Sequence, residues 1–153
     1  MPGTRDLIRR VMIAVNRIDG AYYRFSKDLG LKSNTLDLLY ALDDGRVHSQ
    51  KQICEEWLIP KTTLNTIIKE CEASGYVVLQ AVPGQKRERR ICLTPSGRAL
   101  AREKLAELYA AESEAMSDTL QSHDPAFVSA LESFSDSLCV SFETRSKSSK
   151  CKE

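Results

Sequence analysis

The sequence lacks most of the features that mark an enzyme, a membrane protein or a disulfide-stapled secreted domain. No apolar run approaches the roughly 20 residues needed to cross a bilayer, so no membrane partner is expected. The opening Met1-Pro2-Gly3-Thr4-Arg5-Asp6 lacks the basic-then-apolar layout of a secretory signal, and a cytoplasmic location is expected. The five cysteines (Cys54, Cys71, Cys92, Cys139 and Cys151) are an odd number with no C-x-x-C pair. That argues against both a disulfide framework and a zinc knuckle. His48 and His123 are isolated, so no metal site is expected. There is no glycine-rich phosphate loop, no nucleophile–base pair, and no carboxylate pair outside ordinary helix faces. Neither catalysis nor a cofactor is expected. A formal net charge of only +1 leaves local clustering of basic residues as the sign of an anionic partner.

What is present fits one domain with a real core: 153 residues, 42% hydrophobic and 28% charged. Val11, Val15, Ile18, Tyr22, Phe25 and Leu29 are spaced four, three, four, three, four, which predicts a long first helix with a seam on one face. Leu36 to Leu42 predicts a short second helix. Ser49 and Gln52 form a capping box that opens a third helix to about Trp57. Pro60 is expected at the first position of a fourth helix, with Leu64, Ile67, Ile68 and Cys71 facing the core and Gly75 ending it. Residues 76–82 and 90–94 read as strands around a polar turn at 83–89. Thr94-Pro95 starts a long helix to about Met116, and Asp124-Pro125 starts another that carries Phe127, Leu131, Phe134 and Leu138 on one face.

The order helix, helix, helix–turn–helix, hairpin, helix, helix describes a mainly α fold with a small β-hairpin wing: a winged helix–turn–helix with long terminal helices. The expected organisation is a dimerisation helix at 1–32, a DNA-binding region at 33–97, dimerisation helices at 98–144 and a disordered tail at 145–153. The terminal seams are more apolar surface than so small a domain can bury alone, which predicts a homodimer.

Two consecutive elements point to duplex DNA. The outward face of the fourth helix presents Thr62, Asn65, Thr66 and Lys69 at i, i+3, i+4, i+7. Asn pairs bidentately with adenine, Thr meets a thymine methyl or a phosphate, and Lys reaches phosphate. The hairpin tip then carries Lys86, Arg87, Arg89 and Arg90 against one acid, Glu88. A turn so basic is a liability unless it meets an anion, and arginine favours phosphate or the minor groove. A solvated polar face and charge protection of an edge strand are the bland readings of the same residues. A winged-helix module that binds another protein remains the alternative, although it has little use for the basic tip.

Over residues 5–145 the sequence resembles the MarR family of bacterial transcription regulators. The resemblance is carried by Pro60 to Lys69, by Glu72-Ala73-Ser74-Gly75-Tyr76, by the Lys/Arg-rich wing, and by Leu93-Thr94-Pro95-Ser96-Gly97-Arg98. It implies an obligate homodimer on a pseudo-palindromic operator of double-stranded DNA, acting as a repressor and released by a small phenolic or lipophilic ligand or by thiol oxidation. It places Lys61, Thr62, Thr63, Asn65, Thr66 and Lys69 along the major groove, and Arg87, with Lys86 and Arg89 beside it, at the minor groove. It makes Arg17, Tyr22, Tyr23 and Trp57 candidates for a ligand pocket. Redox-sensing relatives hold their reactive cysteine in the first helix, which here contains none. Cys54, Cys71 and Cys139 lie on or beside apolar stripes and read as structural, whereas Cys151, between two lysines, reads as exposed. Gln85 stands where the family's wing usually has Asp, and Cys71 where it usually has leucine.

Overall fold

The computed structural model describes residues 3–150, with the side chains of Lys86, Arg87 and residues 148–150 outside that description. Helix α1 spans Thr4–Asp28 and α2 spans Ser33–Leu42. Strand β1 is the pair His48–Ser49, followed by α3 (Gln50–Glu56) and α4 (Lys61–Ala73). Strands β2 (Val77–Val82) and β3 (Gln85–Leu93) form the hairpin, and α5 (Pro95–Leu120) and α6 (Ala126–Lys150) complete the chain. The chain divides into two compact units, one up to Glu107 and one from Leu108.

The core of the first unit forms where α2, α3 and α4 meet the sheet. Leu38, Leu42, Ile53, Leu64, Ile68, Cys71, Val77 and Ile91 pack into one buried cluster. On α4 the buried residues Leu64, Ile67, Ile68 and Cys71 are those the helical period selects. The sheet is antiparallel with order β1-β3-β2, and β3 runs down its centre. His48 pairs with Ile91 and Ser49 with Arg90, a strand too short for any period to reveal from sequence.

Four sequence expectations are corrected. Pro60 is the residue before α4, with ψ 137°, and not its first helical residue. The hairpin turn is only Pro83-Gly84, with Gly84 at φ +80°, so the basic residues from Lys86 onward belong to β3. Glycine takes that positive φ without steric cost, which permits so tight a reversal. Helix α5 continues to Leu120, beyond the expected end near Met116. Helix α6 reaches Lys150 through the run expected as a tail. No Gly or Pro interrupts residues 145–150, and Arg and Lys are good helix formers. Residues 151–153, with Cys151, lie outside the described residues.

The Leu93-to-Arg98 motif is a clasp. Thr94 Oγ1 and Ser96 Oγ both donate to Gly75 O, at 2.6 and 2.8 Å, and Thr94 N donates to Tyr76 O at 3.0 Å. Thr94 Oγ1 also accepts from Gly97 N at 3.0 Å, capping α5. Gly97 lies so close to Tyr76 that a Cβ there would collide with its carbonyl. The end of α4 is thereby tied to the start of α5 by a contact that admits no side chain.

Candidate nucleic-acid interface

The helix–turn–helix begins at a fully formed capping box. Ser49 Oγ accepts from Gln52 N at 3.2 Å, and Gln52 Oε1 accepts from Ser49 N at 2.8 Å. Just upstream, buried His48 places Nε2 2.8 Å from Asp44 Oδ1, and Asp44 Oδ1 also accepts from Arg46 N at 2.9 Å. The His48 hydrogen bond, helped by the Arg46 amide, holds the Asp44 carboxyl below the usual range. The loop, the strand β1 and the start of α3 are thus fixed together. The turn from α3 to α4 passes through Leu58 at φ +49°, a left-handed conformation unusual for leucine, with its side chain exposed.

Along α4 the outward residues Lys61, Thr62, Thr63, Thr66 and Lys69 are exposed, as expected from their spacing. Thr66 Oγ1 donates back to Thr62 O at 3.1 Å, which occupies its hydroxyl proton and leaves its oxygen able to accept. Asn65 is different. It is half-buried and its Oδ1 accepts from Gln50 Nε2, on α3, at 3.0 Å. Gln50 escaped the sequence reading. Only its place directly after the Ser49 cap, at the helix end that faces α4, could have drawn attention to it.

Arg89 and Arg90 stand exposed on β3, opposite Ala81 and Gln80 of β2. The side chains of Lys86 and Arg87 lie outside the described residues. Between α3, α4 and the base of the wing lies a cleft of about 730 Å³. Lys51, Lys61 and Arg89 contribute positive charge to it, Glu55 and Glu88 negative charge, and Gln50 and Asn65 hydrogen-bonding amides. Helix α4 and the wing therefore border one largely apolar hollow, with cations on the helix and strand sides of it.

The residues weighed as a ligand pocket separate. Tyr22 meets Tyr40 edge-on at 6.5 Å between centroids, and Tyr40 meets Trp57 edge-on at 6.0 Å. Tyr40, which the sequence reading omitted, thus links Tyr22 on α1 to Trp57 at the end of α3. Tyr23 instead faces out under Lys27, whose Nζ is 4.3 Å from the ring centroid, and Arg17 is exposed. Of the cysteines, Cys71 is buried, and burial pushes its thiol up, away from the reactive thiolate. Cys54 is half-buried on the wall of the cleft, and Cys92 and Cys139 are half-buried as well. Among the described residues no group of three or more His, Cys, Asp or Glu side chains could hold a metal ion. No helix there is long and apolar enough to cross a membrane.

Residues 29–88 of the chain match the model of the MarR family. No curated protein matches the chain. Many solved structures share the fold. The transcription regulator MarR from Oenococcus oeni is 18% identical, with a TM-score of 0.71 over 88% of this chain and 98% of that one. A MarR family regulator from Neisseria meningitidis is 22% identical, with a TM-score of 0.67 over 90% and 94%. BpsR of Bordetella bronchiseptica, whose DNA binding is regulated by 6-hydroxynicotinic acid, is 22% identical, with a TM-score of 0.61 over 90% and 93%. Residues 29–88, which span the helix–turn–helix and part of the wing, are thus similar to the MarR family, and the chain shares the winged-helix fold of MarR family regulators.

Proposed function

We propose that this chain is a DNA-binding transcription regulator that works in the cytoplasm as a homodimer, repressing from a pseudo-palindromic operator and released by a small ligand. The observation that carries the reading is the shared border of the cleft. Lys61 and Asn65 of α4 and Arg89 of β3 line it, with Thr62, Thr63, Thr66 and Lys69 exposed along α4 and Arg90 exposed on β3. In helix–turn–helix docking the second helix enters the major groove and flanking basic residues hold phosphate. The side chains of Lys86 and Arg87 extend the same basic strand in sequence, and we assign them to the backbone or minor groove.

Dimerisation is supported by apolar side chains left open in a single chain. On α1, Leu7, Ile8, Met12 and Ile13 are exposed, and on α6 so are Phe127, Val128 and Leu131. Contiguous apolar exposure of that kind marks an association surface. A small aromatic or lipophilic effector is supported by the regulation of the BpsR relative and by the Tyr22–Tyr40–Trp57 ring cluster.

A mobility-shift assay on the DNA flanking its own gene tests the reading. Specific retardation is expected at nanomolar protein, with Lys69→Ala weakening operator and scrambled duplex alike. The slope of log affinity against log salt should fall by roughly one unit in that variant. Equal binding to every duplex, or none, would overturn the reading.

A further inference from the structure

Gln50 is the first residue of α3, and Asn65 lies one turn into α4. The bond between them runs from Gln50 Nε2 to Asn65 Oδ1, so α3 engages the oxygen end of the Asn65 amide. A primary amide offers one oxygen acceptor and two N–H donors. Bidentate reading of adenine uses both ends at once, Oδ1 accepting from N6 and Nδ2 donating to N7. Gln50 occupies one lone pair of that oxygen and draws it toward α3, while both donors of Nδ2 stay unengaged. A donor-only contact fits guanine, whose N7 and O6 both accept, better than adenine.

We propose that Gln50 is a specificity-determining residue that, by holding Asn65 Oδ1, sets Asn65 to read guanine at one position of each operator half-site. The inference rests on the DNA-binding reading above and corrects the adenine pairing expected from sequence. Both amides border the cleft that Lys61 and Arg89 also line, so the bonded pair shares a surface with cations able to meet phosphate. Gln50 acts on the base through Asn65 and is itself a positioning residue.

The test uses the full-length chain, selection from a random duplex pool, and titration of single-base variants of the selected site. Wild type should prefer guanine over adenine at one position per half-site by about tenfold. Gln50→Ala frees the amide to rotate, and the two bases should then bind about equally there. Gln50→Glu replaces the donor with an acceptor. It should capture Nδ2, turn Oδ1 outward and move the preference to bases that offer a donor, adenine N6 or cytosine N4. Asn65→Ala should abolish the preference in every background, and combining it with a Gln50 change should add nothing. Ratios between bases are read on the folded, bound fraction, so partial unfolding of a variant does not mimic the effect. Identical base preferences in wild type and both Gln50 variants would overturn this inference alone, as would adenine at the Asn65-dependent position of the wild-type site. A wild-type protein that selects no sequence would overturn the DNA-binding reading and this inference with it.

Discussion

The winged region and the long terminal helices dispose of their apolar residues in different ways. In the winged region, Leu36, Leu39, Ile53, Leu64, Ile68 and Val77 are all below 2% exposed. Each is covered within the chain, and most of the residues proposed to meet DNA are among the polar ones left outside. On α1 and α6 the pattern reverses. Leu7, Ile13 and Leu131 are each more than 40% exposed, and along α1 only Ser26 is buried. One region closes a buried core, and the other carries exposed apolar helical surface. The difference shows that the same 3.6-residue periodicity serves two ends, closing a core in one place and offering an interface in another.

The largest expected effect breaks the closed region. Gly97→Ala puts a methyl group into the Tyr76 carbonyl, backbone against backbone, where no flexible side chain is available to yield. A loss of about 3 kcal/mol is expected, seen as a fall of roughly 10 °C in thermal midpoint or as insoluble protein. Pro95→Ala, two residues away at an exposed helix start, should shift the midpoint little. Equal stability of Gly97→Ala and wild type would show that the clasp relaxes freely.

The second prediction breaks the open region. Phe127→Asp with Leu131→Asp places two charges on the exposed face of α6. In a two-fold dimer each change occurs twice, and burying an unpaired charge against apolar surface is strongly unfavourable. Sedimentation at micromolar concentration should show monomer, and operator affinity should fall by about a hundredfold or more. A dimer unchanged by both charges would show that α6 is not part of the interface.

The same contrast explains what the sequence disclosed. Local signals transferred directly: the Ser49–Gln52 box formed as expected, and Gly75 ends α4 at φ +74°. The outward residues of α4 were legible because the helical period alone sorts them from Leu64, Ile67 and Ile68. Features that depend on tertiary pairing were not. Strand β1 is two residues long and exists because β3 lies beside it. The charged residues 86–89 read as turn because they carry no apolar alternation, yet Gln85 and Arg89 pair with Val82 and Ala81 of β2, and residues 86–88 form the irregularity between those pairs. Gln50 and Asn65 are 15 positions apart on separate helices, so nothing in either local pattern announces their bond. On α1 the expected seam was found partly covered, with Val11, Val15, Tyr22 and Phe25 half-buried, Leu29 buried and Ile18 exposed. The more open strip is Leu7, Ile8, Met12 and Ile13, which the four-three spacing passed over.

The smallest expected effect sharpens the comparison inside the first unit, where two carboxylates sit in opposite environments. Asp37 on α2 is raised above the usual carboxylate range, first by loss of hydration and second by the Asp19 carboxylate of α1. Asp44 is lowered, chiefly by its hydrogen bond with His48. For Asp37 the folded state holds the proton more tightly than the unfolded one. Stability is therefore unaffected below the ordinary carboxylate range and is lost as pH rises toward the raised folded value, with the full penalty present at pH 7. Asp44 has the reverse sign: its contribution is present at neutral pH and disappears as pH falls through its depressed folded value. Asp37→Asn should thus stabilise the protein at pH 7, by a few tenths of a kcal/mol once solvent screening at this partly exposed site is allowed for. The gain should vanish in acid, below the ordinary carboxylate range. Asp44→Asn should destabilise at pH 7, and that loss should shrink in acid. Asp19→Asn should recover only part of the Asp37→Asn gain, because the Asp19 charge is the lesser of the two causes. Denaturant midpoints for the three variants at neutral and acid pH check the signs together. A destabilising Asp37→Asn at pH 7 would mean that its carboxylate has a favourable partner outweighing its lost hydration.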